Sequence, residues 1–329
     1  MSKKPSFERI NYTLRPAKAV ERKMISFALR KLSVFDSLKN YQYIGFGSTF
    51  FYDFLLFHKE LSIKEMISIE IEEGKEDRFQ FNKPFDCIEL MMGSSNDILP
   101  KINWDRRAIL WLDYDQKLAK DNFLDIATFC TSAISGSVFL ITVNCQSGRY
   151  GKENEDRKNA LISDLGDDKL PLTQSLSDFS DKVLPITLKT IIEDEINSKI
   201  RESNGLRDNS EKLTYQPVFS FIYRDGAKMM TIGGVVLNES DKAKFNTANF
   251  SELDFYRDDN SFFDIKIPSI TLKEIRFLNS QLPNGINEKG EFVNKELIEK
   301  LNPNIPEVDI RNYSKIYKFF PVFSETFYT

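Results

Sequence analysis

The chain has 329 residues, 45 Lys+Arg against 49 Asp+Glu, 41% apolar residues and one histidine, with no apolar run near ~18 residues, so a membrane span is not expected. Three scattered cysteines (Cys87, Cys130, Cys145) and the polar start Met1-Ser2-Lys3-Lys4-Pro5 fit neither a disulfide framework, a metal-ligand spacing nor a secretory leader, which points to the cytoplasm. With His58 alone, His-rich metal sites and Ser-His-Asp or Cys-His mechanisms are disfavoured.

The net charge of −4 is unevenly spread. Residues 1–40 hold ten basic and three acidic residues, a basic helical leader on an acidic body. Arg15, Lys18 and Arg22 recur at helical spacing, so one face would carry three cations. That face either clamps a phosphate or carboxylate of a substrate or pairs with the acidic body as a structural seam. Short apolar runs then alternate with helical stretches. The strands expected are Tyr41 to Phe46, Met66 to Ile71, Cys87 to Met91, Ala108 to Asp113 and Ser137 to Asn144, a parallel sheet covered on both faces. His58 falls on the helix after the first strand, where a histidine bonded to a neighbour is the simpler reading than a catalytic base. Residues 148–213 are of mixed charge and read as an insertion too thin in apolar residues for a core of its own, with one helix near Leu188 to Ile200. Val218 to Tyr223 and Met229 to Leu237 flank Arg224-Asp225-Gly226, a hairpin signal. The sheet would thus have seven strands, in a domain over 41–238. An extension over 239–329 would pack on it, with a helix over Thr271 to Gln281 and an aromatic stretch from Tyr313 to Phe327.

In an open α/β sheet ligands bind outside the carboxyl ends of the strands. Gly45-Phe46-Gly47-Ser48 closes the first strand, where missing side chains let a ligand approach the backbone. Glu70 ends the second, 23 residues past Gly47, near the offset at which an acid holds ribose hydroxyls. Ser94, Ser95 and Asn96 follow the third, and Asp113, Tyr114 and Asp115 close the fourth. These residues resemble the class I S-adenosylmethionine-dependent methyltransferases. Leu14 to Met24, Tyr43 to Phe46 and Trp111 to Asp115 also look like a bacterial group of O-methyltransferases of unsettled substrate. The resemblance implies a Rossmann-like seven-stranded sheet ending in an antiparallel hairpin. It also implies that Gly45, Phe46, Gly47 and Ser48 face the methionine part of the cofactor, Glu70 the ribose, and Ser94, Ser95 and Asn96 the adenine. Asp113 would lie beside the sulfonium and the substrate. Two positions depart from the family pattern: Tyr43 stands where an acid is usual, and Thr49 where a third glycine is frequent.

Methyl transfer needs positioning, a dry pocket and a proton acceptor. Asp113 could orient a substrate hydroxyl or the cofactor amine, Asp115 accept a proton, and Tyr114 assist. An aspartate after a buried strand equally caps the next helix. Asp113, Asp115 and Asn144 could together offer oxygen ligands to Mg²⁺, a weak pattern without a further acid. Arg149, beside the fifth strand's end, could join a substrate rim. The expected function is methyl transfer from S-adenosylmethionine to an oxygen or nitrogen of an unknown acceptor. The alternatives are a non-catalytic S-adenosylmethionine- or nucleotide-binding module of a larger, possibly defensive, protein assembly, and an RNA-modifying methyltransferase using the basic leader. Duplex DNA is disfavoured, because Leu112-Asp113-Tyr114-Asp115 replaces the Asn/Asp-Pro-Pro-aromatic motif of amino-methylating DNA enzymes and the body is acidic.

Overall fold

The computed structural model describes residues 15–72, 74–170, 175–294, 296 and 304–321. Leu14 and the rest of 1–14, Pro171, and Phe327 with the other residues after 321 lie outside that set. Among the described residues the first element is α1 (Pro16–Leu29), with Pro16 in its first turn, where a missing N–H costs nothing. There follow β1 (Gln42–Gly45), α2 (Tyr52–Leu61), β2 (Glu65–Glu70), α3 (Glu76–Asn82), β3 (Ile88–Met92), α4 (Ser95–Ile98), β4 (Ala108–Asp113), α5 (Lys120–Ser132) and β5 (Val138–Asn144). Two helices, α6 (Asn154–Leu165) and α7 (Leu184–Asn204), precede the hairpin β6 (Thr214–Asp225) and β7 (Ala227–Leu237). The chain continues through α8 (Glu239–Thr247), β8 (Phe263–Ile265), α9 (Leu272–Gln281) and α10 (Glu307–Ile316).

The sheet order is β3-β2-β1-β4-β5-β7-β6-β8. The first five strands are parallel, and β7 runs antiparallel to both β5 and β6. The expected seven strands become eight, because Phe263–Ile265 adds to the outer edge parallel to β6. That strand is too short for its alternation to register as a signal. The order reverses at β1, which lies between β2 and β4, and this switch point opens a crevice beyond the strand ends.

Side-chain alternation divides the core in two. Tyr43, Ile109 and Trp111 point to the face covered by α1 and α2. Ile44, Leu110 and Leu112 point to the face covered by α5 and α7. Each fully buried large side chain contributes about 1.5–3 kcal/mol. The 148–213 segment supplies α7, whose Leu188, Ile192 and Ile196 are buried in that second layer. It adds to the core of the sheet rather than building one of its own. A small separate cluster around Leu278, Ile310 and Tyr313 lies in the C-terminal extension.

Asp225, at the hairpin, fixes α1. Its carboxylate accepts the N–H of Ala17 at 3.2 Å and of Lys18 at 2.8 Å, satisfying first-turn donors that have no intrahelical partner.

Candidate active site

A cavity of about 650 Å³ lies beyond the carboxyl ends of β1, β2, β3 and β4. Its floor is the β1–α2 turn, which places two non-glycine residues, Ser48 (φ 52°) and Phe51 (φ 49°), in the left-handed region. The strain is held by packing: Phe51 is fully buried, and its N–H bonds back to the Gly47 carbonyl at 2.8 Å. The same turn aims the Ser48 N–H at Glu70 Oε1, 2.7 Å away. Ser68 donates its hydroxyl to the same oxygen at 2.9 Å and accepts the Gly47 N–H at 3.1 Å. Glu70 is only 8% exposed. Burial lifts its pKa from 4.5 to about 7, against the pull of these hydrogen bonds.

Gly45 behaves differently from the expectation that it faces a ligand. It sits within β1, and a Cβ there would fall 2.6 Å from the Tyr43 hydroxyl and 3.2 Å from the Trp111 carbonyl. Gly45 does not line the cavity; Phe46, Gly47 and Ser48 do. Tyr43, in the position where an acid was looked for, packs edge-on against Phe54 and Phe57 in the core.

On one face of the sheet the cavity wall is ionic. Lys18 is 0% exposed, with Nζ 2.8 Å from both Glu21 and Asp113 and 4.5 Å from the centre of the Trp111 ring. Arg22 bonds Asp53 through Nε and stands over the Tyr52 ring, 5.6 Å from its centre. Burial works against the charge of Asp113, yet Lys18 and then Arg22 hold its carboxyl below the usual range. Glu21, buried behind Lys18, is pushed up by desolvation. The face of three cations is therefore chiefly a seam. Lys18 is committed to carboxylates and does not reach the cavity, Arg15 at the helix start does not line it, and Arg22 does.

On the opposite face Asp125 organises the wall. It is 1% exposed and accepts Ser95 Oγ at 2.5 Å, Asn96 Nδ2 at 2.6 Å and the Tyr114 hydroxyl. Burial first, then Asp125, raises the Tyr114 phenol well above its ordinary value. Tyr114 is thus a donor and a wall, edge-on to Phe46 at 5.3 Å, and not a base at neutral pH. Ser94 caps α4 and donates to Asp97 at 2.6 Å. Asp125 escaped the sequence reading because it lies in an amphipathic helix. An acid between buried Phe123 and Ile126 was the available signal. Asp53, Tyr52 and Glu21 were missed likewise.

Asp115 is exposed at the rim and lines the cavity, whereas Arg149 is exposed outside it. Asn144 is buried, accepts the Gln146 N–H at 3.0 Å and is not in the lining, so the Asp113–Asp115–Asn144 oxygen set is not assembled. Among the described residues no group of three or more His, Cys, Asp and Glu side chains could hold a metal ion. His58 donates Nδ1 to the Ile63 carbonyl at 2.8 Å at the end of α2 and takes no part in the cavity. No described helix is long and apolar enough to cross a membrane.

Over residues 10–328 the chain matches the family described as "Putative O-methyltransferase". The chain belongs to this O-methyltransferase family. No curated protein matches it. Solved structures similar to it include Trm1 from Pyrococcus horikoshii with S-adenosyl-L-methionine, at 11% identity and a TM-score of 0.42, covering 70% of this chain and 57% of that one. Another is geranyl diphosphate methyltransferase in complex with GPP and sinefungin, at 12% and 0.31, covering 63% and 76%. A third is the LepI complex with SAM, at 8% and 0.33, covering 60% and 43%. This O-methyltransferase-family chain spans about half the length of Trm1 and of LepI.

Proposed function

We propose that the protein transfers a methyl group from S-adenosylmethionine to an oxygen or nitrogen of an acceptor molecule. The observation that carries this reading is Glu70: a buried carboxylate at the end of β2, facing a cavity at the switch point, in a chain of an O-methyltransferase family. The residues suit the cofactor. Burial holds Glu70 high in pKa, and a ribose diol supplies two further donors to its charged form. Ser95, Asn96 and Tyr114, gathered on Asp125, form a polar aromatic slot fit for a purine.

The cofactor, when bound, supplies a methyl group on a cationic sulfonium. The chain's own residues orient and shield. Phe46 and Tyr114 exclude water from the centre of the cavity. Asp113, kept anionic by Lys18, stabilises positive charge nearby and orients an acceptor hydroxyl or amine. Asp115, exposed at the rim, takes the proton that the acceptor releases. The three cysteines are free thiols, which supports a reducing, cytoplasmic setting.

A non-catalytic binding module is the second reading, favoured by the ion pairing of Asp113. Calorimetry with S-adenosylmethionine, followed by a search for S-adenosylhomocysteine release in cell extract, separates the two. Binding with release supports the enzyme, binding without release the module, and no binding refutes both.

A further inference from the structure

We infer that Arg22, presented by α1, is the anion anchor of the cavity and takes the α-carboxylate at the amino-acid end of the cofactor. The inference rests on the S-adenosylmethionine reading above and assigns the direction in which the molecule lies.

Charge decides the direction. Of the described residues lining the cavity, seven are Asp or Glu and two, Arg22 and Lys117, are basic. Lys117 is spent on Asp164 at 2.5 Å, and Asp164 is not in the lining. Arg22 keeps donor capacity. Its Nε serves Asp53, but Nη2 stands 4.0 Å from Asp113 Oδ2, beyond hydrogen-bond reach. The terminal nitrogens of the fork thus match a planar carboxylate. Lys18 pairs with the anionic Asp113 from behind at 2.8 Å, so that carboxylate is shared between two cations and is not committed to Arg22. At Arg22 an incoming anion meets a cation flanked by Asp53 and Asp113, whereas elsewhere in the described lining it meets carboxylates and the Asp164-paired Lys117. S-adenosylmethionine has one anionic group. Placing it at Arg22 also brings the neighbouring ammonium toward Asp113 and Asp53. The end around Asp125 then receives the neutral base from hydroxyl, amide and phenol groups. The two ends lie on opposite faces of the sheet, so a molecule bound across them passes the strand ends where Glu70 waits.

The test compares two adenosine thioethers, S-adenosylhomocysteine and 5′-methylthioadenosine, which differ by the amino-acid portion. Binding of each is measured by calorimetry to the full chain and to R22Q and R22K, with thermal melts to verify folding. R22Q should weaken S-adenosylhomocysteine by about 10- to 100-fold and 5′-methylthioadenosine by less than about threefold. R22K, which keeps the charge and loses the fork, should fall between. Equal losses for both ligands would assign Arg22 to the fold and overturn the inference, as would an unchanged affinity for S-adenosylhomocysteine. If the unaltered chain binds neither ligand, the cofactor reading itself fails, and this assignment with it.

Discussion

Replacing Glu70 with glutamine should stabilise the ligand-free protein at neutral pH while weakening cofactor binding. The carboxylate is nearly buried, and burial lifts its pKa from 4.5 to about 7. That gap corresponds to roughly 3 kcal/mol. The sign follows from the order of ionisation. Below about pH 4.5 the group is protonated in both states and contributes nothing. Between there and about pH 7 the unfolded chain ionises first, so stability falls as pH rises. Above about pH 7 both states are ionised and the penalty is constant. Glutamine keeps an acceptor oxygen for Ser48 and Ser68 and removes the charge. Urea denaturation over this range should show E70Q level with the parent in acid and ahead by up to about 3 kcal/mol at pH 8. Glu21 and Asp125 are raised by burial as well, so the difference between the two proteins is the diagnostic quantity. On the ligand side, parent affinity for S-adenosylmethionine should drop about tenfold per pH unit below 7, because the diol donates to the ionised form. E70Q should bind weakly without that slope. Parallel stability curves, or E70Q the less stable at pH 8, would refute the reasoning.

Three further substitutions probe what surrounds the cavity. K18M leaves Asp113 and Glu21 without their shared cation and should cost about 3–5 kcal/mol at neutral pH. The loss should be smaller in acid, where burial no longer opposed by Lys18 favours the protonated carboxyls; denaturation at neutral and acid pH reads both. D225A removes the acceptor for two first-turn N–H groups of α1, so it should cost about 1–2 kcal/mol and speed hydrogen exchange at Ala17 and Lys18. In G47A the new Cβ would fall 2.6 Å from the Phe51 ring and from Ser68 Oγ; a loss of about 1–3 kcal/mol should appear by thermal melting, together with weaker cofactor binding as the Ser48 N–H leaves Glu70.

The parallel strands were legible because each is a continuous apolar run, and Asp-Gly placed the hairpin. Phe263–Ile265 was not: its residues alternate, but three of them, preceded by another phenylalanine, Phe262, are too few to stand out as a strand. The site was legible where its residues end strands or follow closely after them: Glu70 and Asp113 close β2 and β4, Ser95 and Asn96 come just after β3, Tyr114 just after β4, and all line the cavity. It was obscure where meaning depends on a distant partner. Lys18 finds Asp113 95 residues away, and Arg22 finds Asp53 31 away, so spacing along α1 could not tell a clamp from a seam. Gly45 misled for a related reason. A glycine at a strand end serves a ligand or a neighbouring side chain, and the Tyr43 ring that claims the space is visible only once the strand is folded.

The cap on α1 comes from 207 residues downstream. On the ribosome, α1 is made well before its seat exists, and at ~5–20 residues per second the delay is on the order of ten seconds or more. Throughout that interval the nascent segment lacks β6, against which α1 packs alongside α2, so Val20, Met24 and Ile25, buried in the finished fold, have only part of their cover. Arg22 arrives at the cavity by the same late docking, so the pocket closes only after the hairpin has been synthesised.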